Sequence, residues 1–174
     1  ATRSVRDLVR LGDAIVRIPR DNYARHHPEL QLAAIDDLRG AAEAGRRRGA
    51  SRLRTALGLI RVGSMSVLET DWRLGVAQAS LPEPTLDHEV RAPGGRLLGV
   101  SDGAYPDLRL AVAIEGDQHR VSRAQWNRDR QKYADYAAIG WDVVRLSSAH
   151  IRGPGQEHVA LLRAALLRRG WAGQ

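Results

Sequence analysis

The chain has 174 residues, no cysteine, 27 basic against 20 acidic side chains and a formal net charge of +7. That length suits one domain with an appendage or two small domains, and the absence of cysteine excludes a disulfide framework and a thiolate zinc site, which fits a reducing cytoplasm. No apolar run approaches the roughly 20 residues needed to span a bilayer, and no signal peptide is visible.

Val5, Leu8, Val9, Ile15 and Val16 recur at helical spacing, interrupted by Gly12 and stopped by Pro19, so a short or broken helix is expected first. Pro28 sits where a helix can start, and Leu30, Ala34, Ile35, Leu38, Ala41 and Ala42 make a stripe up to Gly45. Arg46, Arg47 and Arg48 form a solvated turn before a third stripe of Leu53, Ala56, Leu57 and Ile60. Residues 1–60 therefore read as an all-helical N-terminal extension, and they hold 12 Arg against 7 acids, whereas residues 61–174 hold 15 basic residues against 13 acids. A basic excess of this kind favours a polyanionic partner, and the extension itself is a candidate surface for a protein partner. The chain begins at Ala1 rather than Met, as expected of a fragment of a longer protein.

From Ser66 a helix runs to Ala79, with Leu68, Trp72, Val76 and Ala79 spaced to face a core, and Leu81-Pro82-Glu83-Pro84 ends it. Strands are expected at Thr85–Val90 and Leu97–Asp102, joined by the turn Pro93-Gly94-Gly95, and then at Leu108–Glu115. A helix from about Ser122 to Ile139 closes on Gly140, a candidate left-handed cap, before a strand over 141–146. One helical turn at Ser147–Ile151 and a last helix at Val159–Arg169 complete an α/β chain: a mixed β-sheet flanked by helices over residues 61–174.

The chemistry gathers between Asp102 and His119, where Asp102, Asp107, Glu115 and Asp117 surround one short apolar strand. In that strand Leu108, Leu110, Val112 and Ile114 alternate with Arg109, Ala111, Ala113 and Glu115. Carboxylates crowded at a strand end need water, a cation or a basic partner, and a divalent metal answers that need while doing chemistry.

The stretches SVLET, SDGAYPDLRLAVAIEGDQHR, QWNRDRQKY and GWDVVRL, over roughly residues 64–150, resemble the very-short-patch-repair-like branch of the PD-(D/E)xK nucleases, in particular a bacterial domain that often follows an abortive-infection-type antitoxin domain. The resemblance implies a restriction-endonuclease-like core, Mg²⁺ with Mn²⁺ as its substitute, and DNA as substrate. It makes Asp102 and Glu115 the metal ligands, Glu69 the helix glutamate that approaches the site and His119 the histidine that closes the motif. The departure is Ala113, because the family pattern here is hydrophobic, Glu, hydrophobic, Asp or Glu, Gly. Either the chain is a natural degenerate nuclease that keeps binding without cleavage, or the Glu has been exchanged for Ala to hold an inactive form; the short side chain in an otherwise intact motif favours the exchange. A second register takes Pro106-Asp107 as the motif's PD and Glu115-Gly116-Asp117 as its second element, but it puts Asp107 at a turn.

Each residue has a plainer reading. Ser66-x-x-Glu69 is a capping box, Asp102-Gly103 makes a turn, and His119 is a loop histidine; their placement around one strand is what favours a site. An imidazole near its usual pKa of about 6.5 can activate water or protonate a leaving group, and this is the role expected of His119. Arg120, Arg123, Trp126, Arg128, Arg130 and Lys132 follow with a single acid, Asp129, and are the candidate DNA contacts, Arg forking phosphate and Trp stacking on a base. The sequence reading is thus a metal-dependent DNA endonuclease or nickase weakened at Ala113, and the alternative is a non-catalytic nucleic-acid-binding or toxin–antitoxin interaction protein on the same fold.

Overall fold

A computed structural model describes residues 3–44, 49–116 and 123–173, with only the backbone described at 123–127. The chain divides into two compact units, Ala1–Leu74 and Gly75–Gln174. Sequence reasoning put the division at 60/61; here it falls inside a helix.

In the first unit, α1 spans Val5–Val16 and starts on a capping box in which the Ser4 hydroxyl accepts from Asp7 N at 3.1 Å. Of the short or broken helix expected here the short one forms, unbroken at Gly12. A Cβ there would lie 2.1 Å from Ile60 Cδ1, so the missing side chain is what lets the chain end of the third helix approach. The stripe expected from Pro28 to Gly45 divides: Pro28–Leu30 is a single 3-10 turn, and α2 covers Ile35–Glu43. Gln31 causes the break, since its side-chain amide donates to Val16 O at 2.7 Å and ties the intervening chain to the end of α1. α3, Ala50–Leu59, completes a cluster in which Val9, Val16 and Ala56 are fully buried. Beneath it, Asp13 accepts from Arg61 N, Thr70 Oγ1 and Arg73, at 2.9, 2.8 and 2.8 Å. Three donors meet the cost of burying one carboxylate.

α4, Val67–Gln78, carries the division between Leu74 and Gly75. The second unit continues with β1, Thr85–Arg91, and β2, Leu97–Tyr105, which pair antiparallel across a turn where Gly95 takes φ +83°. A 3-10 turn at Pro106–Leu108 follows, so the third strand starts later than its alternation predicts: β3 is Leu110–Glu115, and Arg109, at φ 48°, closes the turn. Ala111 and Ala113 face protein rather than water, and both sides of β3 are therefore covered. α5, Arg123–Ala138, crosses over to β4, Asp142–Ser147, which runs parallel to β3. α6, Ser148–Arg152, and α7, Glu157–Arg168, end the chain. The sheet order is β1-β2-β3-β4, an antiparallel meander with one parallel strand added. The protein is thus α/β, with a four-stranded mixed sheet flanked by helices, as its sequence predicts.

Candidate active site

β2 and β3 pair through Tyr105↔Leu110, Ala104↔Ala111 and Gly103↔Val112, and then part. At the fork the Asp102 carboxylate takes the place of a backbone rung, its Oδ2 accepting from Ile114 N at 2.5 Å. On the other side β1 keeps its register with β2 through this level. Asp87, between the pairs Leu86↔Gly103 and His88↔Ser101, takes φ 49°, a left-handed conformation that Asp tolerates better than most residues.

Lys132 of α5 reaches into this fork, where Nζ donates to Val100 O at 2.7 Å. Its stem lies against Gly99, where an added Cβ would stand 2.9 Å from Lys132 Cδ. Lys132 is the only lysine in a chain with 27 basic side chains. Arginine holds its proton at any ordinary pH and needs room for a planar fork, whereas an ammonium is compact and titratable. Burial pushes the Asp102 pKa up, against the Ile114 N–H and the Lys132 charge, which favour the anion; Asp87 adds to the rise. Burial likewise lowers the Lys132 pKa, and Asp102 opposes that shift. Each charge favours ionisation of the other where burial disfavours it.

Glu115 stands two residues past Ala113 at the end of β3. Arg145 of β4, in register with Ala113, donates to its Oε1 through Nε and Nη2 at 2.7 and 2.6 Å. The Arg145 guanidinium carbon lies 5.4 Å from the centroid of the Tyr133 ring, and Lys132 Nζ lies 5.5 Å from the same centroid. Tyr133 is thus enclosed by the site, and its hydroxyl, desolvated by burial, has its pKa pushed up to about 12. Sequence reasoning missed Arg145, Tyr133 and Asp87. Arg145 is 30 residues from Glu115 and only the parallel pairing of β3 with β4 brings them together.

The structure brings Asp102, Ala113, Glu115 and Lys132 together. Ala113 is buried, and an Ala presents no donor or acceptor where the family pattern has a carboxylate. Glu69 belongs to the first unit and bonds back to the start of its helix: Glu69 N donates to Ser66 Oγ at 3.2 Å, while Oε2 accepts from Met65 N at 2.7 Å, one residue before the Ser66 N–H of the expected capping box. Asp107 sits in the 3-10 turn, off the strand, as the lower-ranked register requires. Arg128 and Arg130 are exposed on α5, whereas Lys132 turns inward and is not a surface contact. Asp117, His119 and Arg120 lie outside the described residues, as do the side chains of Arg123 and Trp126.

Mg²⁺ takes oxygen ligands and ordinarily one or two carboxylates, the rest being water and phosphate. Asp102 and Glu115 fit that requirement in kind and number. No group of three His, Cys, Asp or Glu able to hold a metal occurs among the described residues.

No family model matches the chain, and no solved structure matches it. An uncharacterized protein of Mycobacterium tuberculosis, in each of two strains, is 30% identical over 123 residues, which cover 71% of this chain and 45% of the relative. The chain therefore spans less than half the length of the curated relatives it matches. Among the described residues no helix is long and apolar enough to cross a membrane.

Proposed function

We propose that the second unit is a metal-dependent DNA endonuclease or nickase domain of restriction-endonuclease-like type, held at low activity by Ala113. The observation that carries this reading is the fork between β2 and β3, where the Asp102 carboxylate is fixed by Ile114 N–H and faced by the sole lysine, with Glu115 at the end of the adjoining strand. Strained, partly buried charges of opposite sign are arranged in this way more often at functional sites than in ordinary sheets.

Mg²⁺, with Mn²⁺ as its substitute, supplies Lewis-acid polarisation of a phosphodiester when bound by Asp102 and Glu115. The protein's own part is to favour the Asp102 anion through the Lys132 charge and to orient it through Ile114 N–H. His119 is the candidate for proton transfer. The missing carboxylate at Ala113 removes a ligand or base from the strand face that Arg145 shares.

One observation favours the second reading, a nucleic-acid-binding protein that does not cleave. Both carboxylates of the site have cationic neighbours of their own, Lys132 for Asp102 and Arg145 for Glu115. Cleavage of supercoiled and mismatch-bearing DNA in Mg²⁺ and in Mn²⁺ separates the readings, comparing the chain with Ala113→Glu. The endonuclease reading expects nicking to appear or to rise at least about a hundredfold in the variant, the size ordinarily lost with one catalytic group. Two inactive proteins that still bind DNA would establish the binding reading in its place.

A further inference from the structure

Arg145 has a position that the endonuclease reading does not by itself explain. Its side chain is 58% exposed, although it lies in register with buried Ala113. Two of its nitrogens converge on a single Glu115 oxygen, rather than one on each oxygen as in a fork-to-fork pair. Its guanidinium rests on the Tyr133 ring, which also has Lys132 Nζ within 5.5 Å of its centroid. One ring therefore spaces two cations from different elements. Lys132 is committed inward to Val100 O, and Arg145 is the member of the pair that solvent reaches.

We propose that Arg145 is a phosphate-binding residue placed against the Tyr133 ring, and that Glu115 is the internal anion which Arg145 gives up when a phosphodiester of nucleic acid arrives. The inference rests on the nucleic-acid reading above and deepens it by assigning the anion subsite. Carboxylate and phosphodiester oxygens accept the same guanidinium donors, so the exchange replaces one charge-assisted hydrogen bond by another. An exposed ion pair is weak, so a ligand can displace it at little cost. Exchange also releases Glu115, one of the two candidate metal ligands, at the moment when phosphate is bound. The cation–π contact with Tyr133 keeps the guanidinium in place during the exchange, since a cation over an aromatic face is attracted without a hydrogen bond.

The test is binding of a fluorescein-labelled DNA duplex to the full chain in EDTA, read by anisotropy, so that cleavage plays no part. Arg145→Gln should weaken binding about tenfold, the loss of one charge-assisted contact. Glu115→Gln should tighten it about two- to fivefold, because the competing anion is gone. The double variant should match Arg145→Gln alone, as Glu115 acts only through Arg145. Glu89→Gln, the same charge change elsewhere on the sheet, should leave binding within error of the parent. Equal tightening by Glu89→Gln, or unaltered binding in Arg145→Gln, overturns the proposal, and so does displacement of the duplex by inorganic phosphate at equal phosphate concentration, which would make free phosphate the ligand. Cleavage by Ala113→Glu is scored apart: a silent nuclease with these binding signs keeps the subsite and removes the endonuclease reading, and the reverse pattern removes the subsite alone.

Discussion

Among single residues, Lys132 and Asp102 place opposite charges in a buried fork. Burial raises the Asp102 pKa in the folded chain, whereas an unfolded Asp titrates near 3.9. As pH falls the folded state takes up that proton first, so this group lowers stability above its folded pKa, and the loss is recovered on acidification down to about pH 3.9. That sign is opposite to the usual paired carboxylate. Lys132→Met removes the charge that opposes the shift. The variant should lose about 1–3 kcal/mol at neutral pH, the cost of a partly buried group deprived of its partner, and should regain stability relative to the parent as pH falls towards 4. Urea midpoints measured across that range check it, and parallel curves for parent and variant would show that Lys132 does not act on Asp102. Asp102→Asn combined with Lys132→Met should restore much of the loss, since removing both members of such a pair is far cheaper than removing one. None of this was legible from sequence. The residues of α5 on the N-terminal side of Lys132, from Asn127 to Gln131, are all polar, and Lys132 read as one more phosphate contact beside Arg128 and Arg130.

At the scale of elements, β3 carries a contrast between two alanines that are both buried. Ala113 is in register with Arg145, while Ala111 packs in the cluster of Val90 and Tyr136. A glutamate at 113 finds a guanidinium on the neighbouring strand; a glutamate at 111 finds only apolar side chains. Ala113→Glu should therefore cost no more than about 1–2 kcal/mol, and Ala111→Glu more than about 3 kcal/mol, the difference between a partnered and an unpartnered buried carboxylate. Chemical denaturation of the two variants measures it, and equal costs would mean that Arg145 cannot serve the face it shares with Ala113. The strands themselves were legible because β-branched alternation, Pro93-Gly94-Gly95 and Gly140 are local signals. That the first helix runs unbroken through Gly12, and that the stripe expected to run on from Pro28 divides, has one shared reason. In both, a contact distant in sequence decided the outcome, Ile60 against Gly12 and Gln31 against Val16 O. The site followed the same division: Asp102, Ala113 and Glu115 were found from a motif in one stretch, whereas Arg145 and Asp87 enter only through strand pairing.

At the scale of the whole molecule, the net charge of +7 favours a polyanion, and the number of phosphates contacted sets how that binding depends on salt. Five cations, Arg120, Arg123, Arg128, Arg130 and Lys132, were the contacts expected from the sequence. Lys132 leaves that set because its ammonium is spent on Val100 O beside Asp102. Arg145 enters if it takes phosphate. Each phosphate neutralised on duplex DNA contributes about −0.9 to the slope of log affinity against log salt, so five contacts imply a fall of roughly 500-fold between 50 and 200 mM salt and four a fall of roughly 150-fold. The two exchanges make a prediction that total charge does not. Arg145→Gln and Lys132→Met each remove one positive charge, yet only the first should flatten the slope, by about 0.9, while the second leaves it parallel to the parent. Duplex binding measured over that salt range in EDTA decides between contact and bulk charge. Equal flattening by both variants would mean that the chain attracts DNA through its overall field and that neither side chain meets a phosphate. Flattening by Lys132→Met alone would place the phosphate in the fork itself, next to Asp102.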